Sequence, residues 1–392
     1  MNLKELFHPI PVSEIRDAAD RNELVHFRRG ASAVCESVMN WDIAAHVAER
    51  RAEQTKVLRA FRDGGKIVQE MLKTSRNSPH FSGASVRRLA RQGASIVASE
   101  IEDFSPALRA LANDAERHFG CPTIVGIVAT FGPGYALQPH WDPEDIVCVQ
   151  VAGWKTWKIL GKPCEGRVGE KLPGSGKYAP TEITRKFTME PGDLMMIPRG
   201  YWHCCESDVD NLQLGLIVRR RMGADFIQDL AKKVLEDPLF HRAIPLSRDP
   251  ARFAALEAQW LARFQELAGP GSLLRFVDSE NRAPEIPFCF DHTPPDPCDS
   301  AAVLTLATRR PIAPPEAPGE PLRMGGVTLK TTPAILAVVD VLNREVSLPT
   351  PEIFNRLASA FARDEIAQAI LALDESCLAR LTARPSPDTI DS

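Results

Sequence analysis

The sequence predicts an α+β protein: a jelly-roll β core over roughly residues 121–220, with helices before and after it. Three observations carry this expectation. Between 122 and 218 the chain is dominated by short β-branched runs broken by Gly and Pro (TIVGIVATF, DIVCVQVAG, TWKIL, DLMMIP and LQLGLIV), the pattern of a sandwich or barrel. On either side, apolar residues recur at helical spacing. The composition, 44% hydrophobic and 25% charged over 392 residues, is that of a globular chain with material for roughly two to three domains.

Residues 1–120 read as a mostly helical part of the same domain, with one early strand near 24–27. Asn40 is placed to cap a helix that starts at Trp41, where Trp41, Ala44, Ala45 and Ala48 share a face. A second helix is expected over 104–119, with Leu108, Leu111 and Ala115 on one side and Gly120 ending it. After the β core, 225–235 and 250–267 carry helical patterns that include Phe253, Leu256, Trp260, Leu261 and Phe264. The amphipathic stretch 221–290 is therefore expected to be a helical pairing surface. Residues 291–322 hold eight prolines and read as an extended linker. The remainder, 323–392, gives a short strand at 327–330 and helical patterns at 334–344, 351–362 and 364–373, the order of a small winged-helix-like module.

Composition narrows the function classes. Lys plus Arg number 47 against 51 Asp plus Glu, so the whole chain lacks the cationic surface that nucleic-acid binding requires. The stretch from 322 onward has seven basic and nine acidic residues, which argues against DNA reading by the winged-helix-like module. No apolar run approaches the roughly 18 residues of a membrane helix. Charge appears from the fourth residue, which leaves no signal-peptide core. Nine cysteines without a C-x-x-C pair remove zinc ribbons and thioredoxin-like motifs and fit a reducing cytoplasm. Residues 50–91 hold eleven Lys/Arg against three acidic residues. That excess either attracts an acidic peptide or an RNA-bearing particle or is the solvated face of helices.

The chemistry is concentrated in two passages. The first, Gly132-Pro-Gly-Tyr-Ala-Leu-Gln-Pro-His140-Trp141-Asp142, ends in H-x-D, which on a strand points both side chains to one face. The second, Pro191-Gly-Asp-Leu-Met-Met-Ile-Pro-Arg-Gly-Tyr-Trp-His203, supplies a third ligand after enough strands for the chain to return beside the first pair. Two imidazoles and one carboxylate on one face form the triad that leaves coordination positions open on non-haem Fe(II). Lys155 shares strand parity with Trp157 and Ile159. Spacing alone leaves two readings: an ordinary solvated lysine, or an ammonium inside the barrel that needs an anion.

The segment 132–218, above all PHWDPEDIVCVQVAGWKTWKIL and PGDLMMIPRGYWH, resembles the JmjC-type cupin oxygenases, and within them the ribosomal-oxygenase group of protein hydroxylases. The likeness extends more faintly through most of the chain. It implies a double-stranded β-helix core, Fe(II) held by His140, Asp142 and His203, and 2-oxoglutarate as co-substrate with O2. It puts Lys155 and Asn211 at 2-oxoglutarate, Tyr135 and Tyr201 at the substrate, and it implies a homodimer. The activity it implies is hydroxylation of a residue in a protein or peptide, with 2-oxoglutarate converted to succinate and CO2. Where the family has N-x-Y, this chain has Gly126-Ile-Val128, so a ribosomal histidine or arginine target is not carried over. Two other functions remain compatible with the pattern: a metal cupin that uses no 2-oxoglutarate, and a non-catalytic binding scaffold.

Overall fold

The computed structural model describes residues 2–29, 35–51, 58–62, 65–67, 83–134, 137–164, 179–284, 286, 294–315 and 319–383. The chain divides into two compact units, 1–220 and 221–392.

In the first unit the strands are β1 (Val25–Phe27), β2 (Leu58–Arg62), β3 (Gly65–Lys66), β4 (Ser95–Ser99), β5 (Thr123–Thr130), β6 (Asp145–Ala152), β7 (Lys155–Leu160), β8 (Ile183–Met189), β9 (Leu194–Ile197), β10 (Trp202–Glu206) and β11 (Asn211–Val218). They form an antiparallel sheet in the order β1-β9-β6-β11-β5-β4-β2-β3 and a smaller one in the order β10-β7-β8. The long strand β11 lies between β5 and β6, with Gly215 opposite Gly126 on one side and Cys148 on the other.

Strand alternation gives the large sheet two different faces. Val125, Ile127 and Ala129 of β5, Leu212, Leu214 and Leu216 of β11, and Val147, Val149 and Val151 of β6 pack into one core with the helices. Leu108, Leu111 and Ala115 of helix Pro106–Phe119 and Ile15 of helix Val12–Asp20 complete it. Each such Val, Leu or Ile side chain contributes roughly 1.5–3 kcal/mol when withdrawn from water. The opposite face, which includes Ile146, Cys148, Gly126, Gln213, Gly215 and Ile217, looks across a cavity toward the small sheet. Between the sheets, Trp157, Ile159, Met189, Met195 and Ile197 form a second cluster that closes one side of that cavity.

The helix predicted over 104–119 starts at Pro106, because Glu102–Phe104 is a 3-10 turn and Ser105 caps the helix by accepting from the Leu108 amide at 3.1 Å. Asn40 accepts from the Ile43 amide at 2.9 Å at the start of Trp41–Arg51. The expectation that 1–120 is helical apart from one strand needs correction. Leu58–Arg62, Gly65–Lys66 and Ser95–Ser99 are also strands, and they extend the large sheet beyond β5. A run such as Ser-Ile-Val-Ala-Ser has no strong local preference. The backbone groups of β5, free on one edge, decide its conformation by pairing with it. Strand β8 escaped the sequence reading because its residues are largely exposed and lack alternation.

The second unit holds helices Gly223–Glu236, Pro250–Leu267, Ser272–Arg282, Pro333–Glu345, Thr350–Leu357 and Arg363–Glu375. Strands β12 (Ala302–Leu306), β15 (Ser347–Pro349) and β16 (Ala379–Ala383) form a sheet with β12 in the middle, and β13 (Leu322–Met324) pairs with β14 (Val327–Leu329). The reading of 291–322 as a linker is overturned at β12. Ala302, Leu304 and Leu306 are fully buried in the core of this unit, and they alternate as a half-buried strand should amid the prolines. The helix expected over 351–362 stops at Leu357. No described helix is long and apolar enough to cross a membrane.

Candidate metal and co-substrate site

His140 and Asp142 lie between β5 and β6 and not on a regular strand, contrary to the sequence expectation. An isolated bridge supplies the extended geometry instead. The His140 amide donates to the His203 carbonyl at 3.0 Å, and the His203 amide donates back at 2.7 Å. The Gly200 amide donates to the Asp142 carbonyl at 2.9 Å. Alternation then works as on a strand: Trp141 is buried with Leu160 and Trp202, while His140 and Asp142 line the cavity with His203. One ligand atom from each of the three lies within 4.8 Å of the others. Nε2 of His203 is 3.6 Å and Nε2 of His140 is 4.0 Å from Asp142 Oδ2.

Both imidazoles are oriented the same way. Nδ1 of His140 donates to the Gln138 carbonyl at 2.8 Å and Nδ1 of His203 to the Tyr201 carbonyl at 2.9 Å, since a carbonyl can only accept. With Nδ1 so occupied, Nε2 is the ring nitrogen that each histidine turns toward the cavity, the one left to bind a metal. Burial, and then the neighbouring His140, push the His203 pKa down to about 4, against the opposing pull of Asp142 and the Tyr201 carbonyl.

The motif P-G-D-x-x-x-x-P-R-G-x-x-H builds the frame around this group. Asp193 is not a ligand: its carboxylate accepts from His26 Nε2 at 2.9 Å, the Arg29 amide at 2.9 Å and the Glu190 amide at 3.1 Å. Gly200 sits at φ +82°, and a Cβ there would lie 2.2 Å from the Cys164 carbonyl oxygen. Only glycine allows this turn and close approach together.

Lys155 opens β7 and points inward. Its side chain is buried, and Nζ donates to Gln213 Oε1 at 2.9 Å. Burial lowers its pKa from the usual lysine value, with the Cys205 and Cys148 thiols acting in the opposite sense. Among the described residues it has no carboxylate partner. The cavity it shares with His140, Asp142 and His203 has a volume of about 210 Å³.

Two of the other expected residues, Asn211 and Tyr201, are not among those lining the cavity. Asn211 is buried one layer beyond Gln213 and outside the cavity lining, where its amide donates to the Val209 carbonyl at 3.2 Å. Gln213, two residues on and on the same face, meets Lys155 instead; a glutamine between leucines in an otherwise apolar strand was the available signal. Tyr201 precedes β10, and its hydroxyl donates to the Asn22 carbonyl at 3.0 Å, so it too is outside the lining. Tyr135 lies outside the described residues. Arg59 of β2 lines the cavity, and the sequence reading missed it because that segment read as helical.

A jelly roll that gathers two histidines and a carboxylate at an open, concave site has the architecture of the metal-dependent cupins. Residues 102–226 match the JmjC domain family. Over that region the chain is similar to JmjC-type ribosomal oxygenases. It is 26% identical over 203 residues to the bifunctional lysine-specific demethylase and histidyl-hydroxylase NO66 of Brugia malayi, a match covering 50% of this chain and 28% of that protein. It is 24% identical over 176 residues to ribosomal oxygenase 1 of Rattus norvegicus, covering 39% and 30%. The matches thus span less than a third of the length of these two relatives. Among solved structures, the ribosomal oxygenase YcfD of Escherichia coli, in complex with cobalt and 2-oxoglutarate, superposes with a TM-score of 0.53 at 18% identity over 93% of this chain and 97% of that one. Another structure of the same protein gives 0.55 at 17% identity over 91% and 94%. These establish a JmjC cupin fold of mixed helix and sheet.

Proposed function

We propose that this chain is an Fe(II)- and 2-oxoglutarate-dependent oxygenase that hydroxylates a residue in a protein or peptide. The observation that carries the reading is Lys155, an ammonium buried without a carboxylate partner among the described residues, in the same cavity as His140, Asp142 and His203. The donor set fits the metal: two imidazole lone pairs and one carboxylate on one side of an open space. The Lys155 environment fits a dicarboxylate, since a buried ammonium that hydrogen-bonds to one amide oxygen still has two donors and a charge to satisfy. Relatives named as hydroxylases and demethylases, and the YcfD structure that holds cobalt and 2-oxoglutarate, support the same reading.

In this reading His140, Asp142 and His203 hold Fe(II), which supplies dioxygen activation with 2-oxoglutarate as the electron source. Lys155 receives the far carboxylate of 2-oxoglutarate, and Gln213 keeps the ammonium aimed at it. The Gln138 and Tyr201 carbonyls keep the Nδ1 protons and so the imidazoles in their ligating form. The apolar walls, Trp157, Ile146 and Ile217, exclude water and orient what enters. The helices of 221–282 expose Ile227, Leu235, Leu261 and Leu274, which suits a homodimer, and the three helices after 333 with the sheet around β12 suit a winged-helix-like, protein-contacting module. Buried free thiols at Cys35 and Cys148 suit the cytoplasm.

Anaerobic addition of Fe(II) and then 2-oxoglutarate should produce a metal-to-ligand charge-transfer band, and air should then release succinate. A band-free protein that binds the metal would make it a cupin of another kind; failure to bind metal at all would favour the scaffold reading.

A further inference from the structure

We propose that Arg59 forms a carboxylate subsite on the wall of the cavity opposite Lys155, and that this subsite receives an acidic group of the substrate. The proposal rests on the oxygenase reading above. Strand register fixes the geometry. Arg59 is paired with Val97, Val97 with Val128, and Val128 with Gln213, the residue that holds Lys155. All four line the cavity. Arg59 is therefore three strand spacings from Gln213, about 14 Å at roughly 4.8 Å each. The backbone of Arg59 is thus well separated along the sheet from the Lys155–Gln213 pair, at the other end of the same lining.

Beside the Val97 and Val128 side chains that lie between them, the floor is bare. In the neighbouring row Ser99, Gly126, Gly215 and Cys148 are mutual partners, and the two central residues have no side chain. A Cβ on Gly215 would meet nothing closer than 3.9 Å, so glycine here keeps space open where packing would admit more. An extended side chain or a chain end fits along that floor, with its reacting carbon near the triad and its far end at Arg59.

Arg59 is left ready for such a group. Its Nη2 donates to Ser99 Oγ at 3.3 Å, a long bond to a neutral acceptor. Its Nε is buried and has no partner among the described residues, and none of their carboxylates comes within ion-pair distance. Arg59 and Lys155 are the only permanent cations among the described lining residues, and Asp142 is the only carboxylate. A divalent metal and a doubly charged 2-oxoglutarate beside Asp142 and Lys155 make a neutral set, so the Arg59 charge is the one left unmatched. A planar guanidinium with free donors is suited to take a carboxylate through two bonds.

The test is ligand-observed saturation-transfer NMR on the full chain loaded with Zn(II), a diamagnetic divalent metal, which needs no turnover. Saturating 2-oxoglutarate is added first, and its own signal reports separately on the Lys155 site. The probes are N-acetylglutamate α-amide for a side-chain carboxylate, N-acetylglycylglycine for a chain terminus, and N-acetylglutamine α-amide as the neutral counterpart. Transfer to one or both carboxylate probes but not to the neutral one is expected, and which of them binds identifies the source. Arg59→Gln should weaken that binding roughly ten- to a hundredfold, and Arg59→Lys should restore part of it. Equal transfer to the neutral probe, or an Arg59→Gln protein that binds the carboxylates like wild type, overturns the subsite. The wild-type comparison of charged with neutral probe decides the matter even where the variant does not fold. Absence of 2-oxoglutarate binding would count against the oxygenase reading and leave the probe result standing by itself.

Discussion

Replacing Lys155 with methionine should move stability and ligand affinity in opposite directions. Methionine keeps most of the side-chain length and its contacts but removes the ammonium. In the unliganded protein that ammonium is buried with one amide oxygen for company, and an incompletely satisfied buried polar group costs about 1–3 kcal/mol. Lys155→Met should recover about that much, minus what is lost when Gln213 is left without its donor. The sign of the pH dependence follows from the lowered pKa. Below the folded-state pKa the wild-type protein carries the full cost of the buried charge. As pH climbs from there toward the ordinary lysine value of 10.5, the unfolded chain holds the proton more tightly than the folded one, so wild-type stability rises. The advantage of the methionine variant should therefore shrink as pH rises through that window. With 2-oxoglutarate the order reverses, because losing a charge-assisted contact of roughly 1.5–3 kcal/mol weakens affinity about ten- to a hundredfold. Denaturant unfolding at several pH values, with and without 2-oxoglutarate, reads both effects. A methionine variant less stable than wild type without ligand and equally stabilised by 2-oxoglutarate would refute the reasoning.

Three further outcomes follow from the geometry. His140→Ala, Asp142→Ala and His203→Ala should each lose stoichiometric Co(II) binding, read by its visible absorption, while circular dichroism stays near wild type; full occupancy in any one would remove that residue from the ligand set. Gly200→Ala forces a Cβ against the Cys164 carbonyl at a left-handed backbone position, so it should destabilise the protein by about 1–3 kcal/mol and weaken metal binding through His203 and Asp142. A melting curve and a metal titration that both match wild type would contradict this. Gly215→Leu should fill the cavity floor and abolish the burst of succinate release that substrate provokes, whereas Gly215→Ala, with ordinary contact distances, should be tolerated; equal activity of the two would show that nothing passes over that floor.

The metal triad was readable in the sequence because its ligands sit in short, rigid, Gly- and Pro-bounded stretches. The period-two alternation of His140, Trp141 and Asp142 holds even without a regular strand, since extended backbone alone produces it. Lys155 was readable in parity but not in direction: whether the face with Trp157 and Ile159 points inward depends on the sheet packed against it. Asn211 and Gln213 show the same limit. Both lie on the cavity face of β11, and only the position of β7 selects Gln213 as the partner of the ammonium. Tyr201, two residues before His203, shares its parity but precedes the strand, and its ring leaves to meet Asn22.

Local sequence thus determined the β core, the capped helices and the three candidate ligands, because caps, turns and alternation act over a few residues. Tertiary structure alone decided that Leu58–Arg62 and Ser95–Ser99 become strands, that β12 is the middle of a sheet within a proline-rich stretch, and that Arg59 lines the same cavity as Lys155. Each of these depends on a hydrogen-bonding edge or a facing layer contributed from far along the chain, and the strength of a strand lies in its partner more than in its own residues.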